Sequence, residues 1–540
     1  MFARGISILT SSSLDVGNIP APRPYDALTD ECGRNAMRAL QASLQFMTPS
    51  NQAAEPERWA RLQRERRAQL EAFLWVEPNA AALDRMTDLL GLICGEGRWA
   101  AGGGAFDDPF RPDIDLQAAE TGMLLAWTLR RHGAKLAERD ARIPTALVGE
   151  VRRRLLSPLL AHDDYPFMRG EGRCPALVLS DLLLACLLME RNPSRRQQPV
   201  KQLLRLLDRF CETESAAFAP YAERLADACA LADLARLLKR LTRGELDLTG
   251  ELPPEGMLDG ALIPWMAGDF FFDPTGADMR PGVSGMDIFR LGYMARDRVL
   301  SALGAQLNRA AGALPAFSLN GRVLSMEYMR SAQDETSAPP RMRRAAAEGG
   351  WMMVSRVDAL CAALAGAGSR SNAGTVALFC GGTPVLVDAG GDQHSLPLIG
   401  GFAPAARTHS VPTDADFGAD RDLMSADLTG AYSEICPLAA YQRTLITMQG
   451  DGTVRLVDAF EFTGAVRDLD FRFVTAQRPQ PLPGGVRLGP VDMSWDGDMI
   501  PEFTELPAAP AFPNGCYLLR LKVNQPPKRL ICGFTFEANS

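Results

Sequence analysis

The sequence has few of the residues that build metal centres and acid–base sites. Only four of its 540 residues are histidine: His132, His162, His394 and His409. The eleven cysteines include no C-x-x-C pair, which argues against zinc modules and dithiol redox motifs. Most lie in apolar helical runs, as Cys186 and Cys229 do, so we expect reduced core thiols and a cytoplasmic protein.

Long apolar runs are also missing. No segment approaches the roughly 20 apolar residues that a membrane-spanning helix needs, and we expect no membrane association. The first residues carry one arginine and then a weak, interrupted apolar segment, without the apolar centre or cleavage site of a signal peptide. We therefore expect an unexported protein of ordinary globular composition, with 46% hydrophobic and 23% charged residues.

The charge pattern does not favour nucleic acid as a partner. The formal net charge is −8 and is spread along the chain. The basic clusters at 64–67 and 152–154 lie within helical patterns, where a solvated helix face is the expected role. The same acidity disfavours long-range attraction of an acidic polymer, although a local basic groove can override it.

The chain changes its hydrophobic period near residue 345. From about Thr29 to Leu307, apolar residues recur at helical spacing. Two long breaks, Gly97–Gln117 and Gly250–Gly282, either line a site or only cap the helical array. After the Pro- and Arg-rich segment Ser337–Gly350 the period becomes two, in short segments such as PVLVDA and TVRLVDAFEF. This pattern predicts a helical domain followed by an antiparallel β-sandwich.

Several motifs, in order, resemble the heparinase II/III-like family of polysaccharide lyases. In the first half these are GLICGEGRW, DIDLQAAETGMLLAW and RIPTALVGEVRRRLLSPLL; in the second half they are GTVALFCGGTPVLVDAGG, THSVPT and ADLTGAYSE followed by YQRTL. The resemblance implies an (α/α) toroid, an incomplete barrel, over residues 1–345. It also implies a β-sandwich over residues 346–540, with a saccharide cleft between the two.

The chemistry implied by this resemblance is β-elimination from a uronic acid. It requires a base, neutralisation of the sugar carboxylate and an acid for the leaving oxygen. Family members usually supply an Asn and a Tyr from the toroid and a His from the sandwich. The family's His-x-His-x-Asp stretch falls on Gly368, Arg370 and Asn372, and its Asn-Asn-Trp stretch falls within 169–174, so these groups are replaced. Tyr221 is retained from the Glu-Gly-x-x-Tyr-Trp stretch.

Some family members also hold a structural zinc in the sandwich. Asp388 and His409 match two of its ligands, and His394 is the available substitute for the third. Arg370 stands where the first His would be, and its permanent positive charge repels a dication. The expectation is therefore no cofactor and no tightly bound zinc, with a site rebuilt through His394 as the alternative.

The candidate site residues follow from these matches and from residue chemistry. Tyr221 and His409 are the candidate catalytic groups. Guanidinium groups match planar anions and aromatic rings stack on sugars, so the substrate-binding candidates are Arg173, Arg370, Arg407, Trp99 and Trp265. Each has a structural alternative, such as a core or rim position for Tyr221 and both tryptophans, a solvated loop position for His409, or a local turn at Asp388.

The resemblance thus predicts a protein that acts on, or binds, acidic oligosaccharides. The alternative is a catalytically inactive paralogue that serves as a carbohydrate-binding or scaffolding protein. A third possibility is a lyase in which Tyr221 is both base and acid while an arginine neutralises the carboxylate. The sequence names neither the sugar nor the oligomeric state.

Overall fold

The chain divides into two compact units. The computed structural model describes residues 56–101, 108, 110–213, 219–241, 243–244, 247–276, 278–310, 315–337, 344–347, 351–357, 359–366, 372–389, 394–405, 411–450 and 452–539. The helical unit takes in the described residues of Met1–Ala216, Leu225–Glu255 and Val283–Pro339. The sandwich unit takes in those of Ala217–Arg224, Gly256–Gly282 and Pro340–Ser540.

The helical part of the chain consists of α-helices joined by turns and longer loops. Their bounds are α1 Pro56–Phe73, α2 Ala80–Cys94, α3 Leu116–Arg139, α4 Arg142–Val151, α5 Ser157–Ala161, α6 Pro175–Met189, α7 Pro193–Thr213, α8 Tyr221–Leu241, α9 Glu255–Leu262, α10 Gly285–Ala295, α11 Arg298–Ala310 and α12 Leu319–Asp334. A π-helical turn, Arg152–Leu156, connects α4 to α5.

Helix α6 is the centre of the helical unit. All fifteen of its residues are buried, and it packs against α3 and α7. A helix that is apolar on every side can only be stable inside a protein core. Its single acidic residue, Asp181, is therefore held in an apolar environment.

The sandwich unit is built from antiparallel strands. Their bounds are β1 Trp265–Ala267, β2 Phe270–Phe271, β3 Arg344–Ala346, β4 Met352–Val357, β5 Leu360–Ala365, β6 Val376–Cys380, β7 Thr383–Leu386, β8 Leu398–Ile399, β9 Thr413–Phe417, β10 Arg421–Asp427, β11 Leu438–Met448, β12 Thr453–Phe462, β13 Asp468–Thr475, β14 Gln480–Leu482, β15 Gly485–Leu488, β16 Val491–Trp495, β17 Pro501–Leu506, β18 Cys516–Asn524 and β19 Arg529–Ala538.

Within the described residues, these strands form two large sheets and one small hairpin. One sheet has the order β14-β15-β16-β19-β12-β11-β10-β9, and the other β17-β18-β13-β7-β6-β5-β4-β3, with β8 paired to β13. Strands β1 and β2 pair with each other. Buried aromatic side chains fill the core, with the Phe471 and Phe534 rings 4.9 Å apart in an edge-to-face contact.

The predicted helical domain followed by an antiparallel β-sandwich is confirmed, while the toroidal arrangement stays a prediction. The described cysteines are free, as expected for core thiols. No helix in the described part of the chain is long and apolar enough to span a membrane.

The prediction that the two basic clusters form solvated helix faces is wrong for two of their members. Arg66 and Arg154 are each only 5% exposed. Arg66 donates to the Glu96 carboxylate at 3.2 Å, and Arg154 donates to Glu150 at 2.9 Å. Glu96 is 30 residues from Arg66, so no local pattern could reveal that pair, whereas Glu150 is four residues before Arg154 and the helical spacing was the available signal.

Candidate functional site

The helical unit contains a cavity of about 560 Å³ whose walls carry four arginines. We call it the arginine cavity, after Arg64, Arg67, Arg173 and Arg322. Its volume lies in the range of small-molecule and saccharide sites. Elements α1, α3 and α12, with the loop that precedes α6, supply most of the lining residues.

Helix α1 presents one face to the cavity. Arg64, Arg67, Ala68 and Glu71 all line it, and their spacing of three, four and seven residues places them on one side of a helix. Alanine between the charged residues leaves room for a ligand. The arginine side chains are thus directed by the helix register rather than by a loop.

Two of the four arginines are held by protein carboxylates. Arg67 donates to Glu96 at 2.9 Å and to the Thr121 hydroxyl at 2.6 Å. Arg322 makes a two-pronged pair with Glu71, at 2.6 and 2.8 Å. These bidentate contacts fix the cavity walls, and they also consume much of the hydrogen-bonding capacity of both guanidinium groups.

The other two arginines are exposed in the cavity wall. Arg64 forms no ion pair with any residue that the structure describes, and its side chain is exposed. Arg173 is also exposed, with its guanidinium carbon 5.6 Å from the centre of the Phe317 ring. Both exposed side chains can reach a bound anion, and Arg173 is among the residues that the sequence predicted.

Helix N-termini add to the positive potential of the cavity. Helix α3 begins at Leu116 and α12 at Leu319, and both residues line the cavity. Asp115 caps the first helix and Ser318 the second, each through its side chain. The positive end of a helix dipole favours nearby anions, so the backbone reinforces the arginines.

Glu120 is a carboxyl group in the wall of this cavity whose pKa is raised by burial. Burial raises its pKa above the ordinary value of 4.5, the neighbouring Arg322 and Arg173 lower it, and Glu71 raises it. One carboxyl oxygen accepts a hydrogen bond from the Leu319 backbone at 3.4 Å. A carboxyl group that keeps its proton above the usual pH range can donate to an anion or to a leaving oxygen.

Asp181 lies near Glu120 in the buried helix α6. It is 1% exposed, and its Oδ2 has no hydrogen-bond partner within the described part of the chain. Burial raises the pKa of Asp181 well above its ordinary value of 3.8, and the charge of Glu120 raises it further. The apolar helix thus holds an acid that is stable in its protonated form.

Asp181→Asn is expected to stabilise the protein at alkaline pH. Above about pH 4 the unfolded chain releases this proton before the folded protein does, so wild-type stability falls as pH rises toward the raised pKa. Asparagine is an uncharged isostere and removes this dependence. We compare the free energy of unfolding of the variant with that of wild type. We expect the variant's advantage to be about 1–3 kcal/mol larger near pH 8 than near pH 5.

Chemical denaturation at the two pH values measures the effect. The exposed Asp163 gives a matched control, because Asp163→Asn changes the same charge at the surface. If the free energy of unfolding changed equally with pH in wild type and Asp181→Asn, Asp181 would be ionised in the folded state.

Tyr221 lies in the sandwich unit and is buried, with 1% of its surface exposed. Its hydroxyl donates to the Ala261 carbonyl oxygen at 2.8 Å, and its ring stacks on Phe271 at 4.4 Å. Its backbone N–H donates to the carboxylate of Asp273. This geometry favours the structural role that the sequence left open for this tyrosine.

Tyr221→Phe is expected to lower stability by about 1–3 kcal/mol, because it leaves the buried Ala261 carbonyl without this donor. Denaturant titration measures the loss. Saccharide binding by the helical unit should remain unchanged. A variant of unchanged stability that lost a lyase activity would instead identify the hydroxyl as catalytic.

The two candidate tryptophans are both buried. Trp99, in the helical unit, is 1% exposed and donates its indole N–H to the Ile93 carbonyl at 2.9 Å. Trp265, in the sandwich unit, donates to Gly268 at 3.0 Å. An arginine lies over each ring, Arg154 at 4.8 Å and Arg356 at 4.8 Å. These rings support their surroundings and present little surface for sugar stacking.

Asp388 and His394 do come together in the sandwich unit. His394 Nδ1 lies 3.3 Å from Asp388 Oδ2, and both side chains are buried. Asn372 donates to the Pro274 carbonyl at 2.8 Å and lies 3.5 Å from the same Asp388 oxygen. The approach of His394 to Asp388, which a rebuilt zinc site would need, is therefore present.

A metal site needs a third donor. Within the described residues, no group of three His, Cys, Asp or Glu side chains is placed to hold a metal ion. Asn372 is a neutral neighbour, and a structural zinc site favours imidazole, thiolate and carboxylate ligands. His409, Arg370 and Arg407 lie outside the described residues, so their roles, and the absence of zinc, stay predictions.

Sequence reasoning missed Arg64, Glu120 and Arg322 as cavity residues. Glu120 lies in the DLQAAET stretch that carried the family resemblance, but it was not singled out. Arg64 belongs to a basic cluster interpreted as a solvated face, and the i, i+3, i+7 spacing of Arg64, Arg67 and Glu71 was the available signal.

The comparisons with known proteins come from structure alone. A scan against protein-family models gives no match, and a search of curated proteins gives none either. The structure resembles a heparinase III at 9% identity, with a TM-score of 0.57, covering 96% of this chain and 86% of that one. It resembles a Streptomyces coelicolor A3 chondroitin AC lyase, solved with chondroitin sulphate, at 14% identity and a TM-score of 0.56, covering 96% and 80%.

A Paenibacillus xanthan lyase gives a TM-score of 0.58 at 9% identity. The chain matches it over 97% of its own length but spans only 58% of that lyase. At these identities the comparison shows the fold alone. The predicted resemblance is confirmed at that level: the structural neighbours of this chain are polysaccharide lyases.

Proposed function

We propose that the protein binds an acidic, uronic-acid-containing oligosaccharide in the arginine cavity. The proposal rests on one observation: two of the four arginines are fixed by protein carboxylates, and the other two are exposed in the cavity wall. Arg67 and Arg322 are tied to Glu96 and Glu71, whereas Arg64 and Arg173 are exposed on the wall. A site built for anions needs both a rigid frame and accessible donors.

The chemistry of the ligand follows from these donors. Planar guanidinium groups pair bidentately with carboxylates and with sulfate oxygens, and the helix N-termini at Leu116 and Leu319 favour the same charge. When ionised, Glu120 repels an anionic group of the ligand. When protonated, it can donate a hydrogen bond to that group. Binding to heparan- or chondroitin-type chains, as with the structural neighbours named above, fits this arrangement.

We favour binding without turnover as the main activity. The residues described in the cavity lining include no tyrosine and no histidine, the groups that family members use for proton transfer. The retained Tyr221 gives its hydroxyl to a backbone carbonyl. This matches the alternative of a carbohydrate-binding paralogue that has kept the lyase architecture. A toroidal helical domain and a cytoplasmic location remain parts of the proposal.

β-Elimination at the same cavity is the second candidate, and Glu120 is the observation that favours it. Elimination removes a proton from the carbon next to the sugar carboxylate, forms a carbon–carbon double bond and expels the glycosidic oxygen. A protonated Glu120 can supply the proton for that oxygen, and the exposed carboxyl of Glu171, which also lines the cavity, can accept the other proton.

One experiment separates the two candidates. Heparan, chondroitin, hyaluronan and alginate oligosaccharides are titrated into the protein by calorimetry while ultraviolet absorbance records unsaturated uronate. Saturable binding without product supports the binding protein. Product that is lost in Glu120→Gln while binding is retained supports the lyase. No binding to any of the four would overturn the proposal.

A further inference from the structure

The helical unit has a second cavity, of about 530 Å³, rich in positive charge. We call it the basic pocket. It lies where α8 and α10 end, and the turn after α8 completes it. Five cationic side chains line it: Arg236, Lys239, Arg240, Arg243 and Arg296. None of them lines the arginine cavity, so the two cavities share no cationic side chain.

The carboxylates that the structure describes neutralise only part of this charge. Glu327 accepts from Arg236 at 3.0 Å and from Arg240 at 3.1 Å. Lys239 pairs with Asp247 at 2.6 Å. The hydrogen bonds from Lys239 and Thr249 lower the pKa of Asp247 to about 2. Two described carboxylates thus serve three of the five cations.

The two remaining arginines have unusual backbone conformations. Arg243 has φ of 56° and Arg296 has φ of 60°, in the left-handed region where helix ends usually carry glycine or asparagine. Both side chains are exposed, and neither forms an ion pair with a described residue. Arginine at these positions costs backbone energy, and strain of this kind concentrates at functional sites.

An aromatic ring stands beside these arginines. Tyr293 also lines the basic pocket and is 50% exposed. It packs edge-on against Tyr328 at 5.2 Å, which holds the phenol in place. A fixed, half-exposed tyrosine offers an apolar face and a hydroxyl to a sugar ring, and Thr249 adds a second hydroxyl to the lining.

We propose that the basic pocket binds a single sugar that carries a sulfate or phosphate ester. Arg243 and Arg296 grip the tetrahedral oxyanion through their guanidinium forks. Tyr293 contacts the ring, and Thr249 hydrogen-bonds to a hydroxyl of the sugar. The pocket volume accommodates one sugar residue. This site acts independently of ligand binding at the arginine cavity.

Cations near a helix C-terminus also stabilise the helix dipole, so the test must separate that role from binding. Asparagine tolerates the left-handed conformation, and Arg243→Asn/Arg296→Asn therefore removes both charges without adding strain. Arg61→Gln/Arg205→Gln removes the same charge from exposed positions outside the pocket and is the matched control.

Calorimetric titration with glucose sulfate, glucose phosphate, glucose and inorganic sulfate tests the proposal. We expect at least one glucose ester to bind saturably and more tightly than inorganic sulfate or glucose, and the tighter ester identifies the source of the oxyanion. Arg243→Asn/Arg296→Asn should weaken it by about a hundredfold. The control, and Arg64→Gln/Arg173→Gln at the arginine cavity, should change it by less than about threefold.

Three outcomes would overturn the proposal. The first is that no ester binds saturably. The second is that inorganic sulfate binds as tightly as the esters, which removes any role for Tyr293. The third is that Arg243→Asn/Arg296→Asn loses thermal stability but keeps its affinity, which would assign both arginines to the helix ends alone.

Discussion

Arg64→Gln/Arg173→Gln is expected to weaken binding of an acidic tetrasaccharide by at least about a hundredfold, since each exposed guanidinium contributes a charge-assisted contact of about 1.5–3 kcal/mol. The fold should be unaffected, because both side chains are exposed. Calorimetry at fixed salt measures the affinity, and circular dichroism verifies the fold.

The matched control is Arg61→Gln/Arg205→Gln, which removes two exposed positive charges outside the cavity. Arg61 lies on the same helix as Arg64 and makes only a weak contact with Glu65, at 3.7 Å. If the control lost as much affinity as the cavity variant, binding would depend on net charge alone, and the arginine cavity would not be the site.

Arg443→Met is expected to destabilise the sandwich unit by about 3–5 kcal/mol, because it leaves a buried carboxylate without its cationic partner. Arg443 is 1% exposed and donates to both oxygens of Asp458, at 2.8 and 2.7 Å. It also donates to the carbonyl oxygens of Gly374 and Ser395, at 3.0 and 2.6 Å. These two segments adjoin Asn372 and His394, so the loss should also loosen their cluster with Asp388.

Arg443→Met/Asp458→Leu is the informative companion. It removes both charges, and replacement of a whole buried pair by apolar groups is often nearly neutral. We expect it to recover most of the lost stability in denaturant titrations. A single variant that loses less than about 1 kcal/mol, or a double variant that recovers nothing, would mean that water reaches Asp458.

Local periodicity accounts for much of what the sequence predicted. The segment TVRLVDAFEF was predicted as a strand and is β12, Thr453–Phe462, whose residues alternate between buried and more exposed positions. Alternation is a property of adjacent residues, so it can be seen without the fold. The same holds for the helical spacing of apolar residues in the first half and for the change of hydrophobic period before the sandwich.

The features that the sequence did not predict depend on contacts between residues that are far apart in the chain. The frame of the arginine cavity depends on the pair of Glu71 and Arg322, which are 251 residues apart. Tyr221 is a candidate catalyst from its match to the Glu-Gly-x-x-Tyr-Trp stretch, but its hydroxyl donates to the Ala261 carbonyl, 40 residues away. No local pattern encodes these partners. Titration of Glu120 and Asp181 likewise depends on burial that only the packed helices create.

A crystal structure of the protein with an acidic tetrasaccharide tests most directly whether the arginine cavity is a saccharide site. We expect a sugar carboxylate or sulfate within hydrogen-bonding distance of the guanidinium groups of Arg64 and Arg173, with Glu120 facing the same sugar. A tetrasaccharide bound elsewhere, with these two arginines still exposed to solvent, would contradict it.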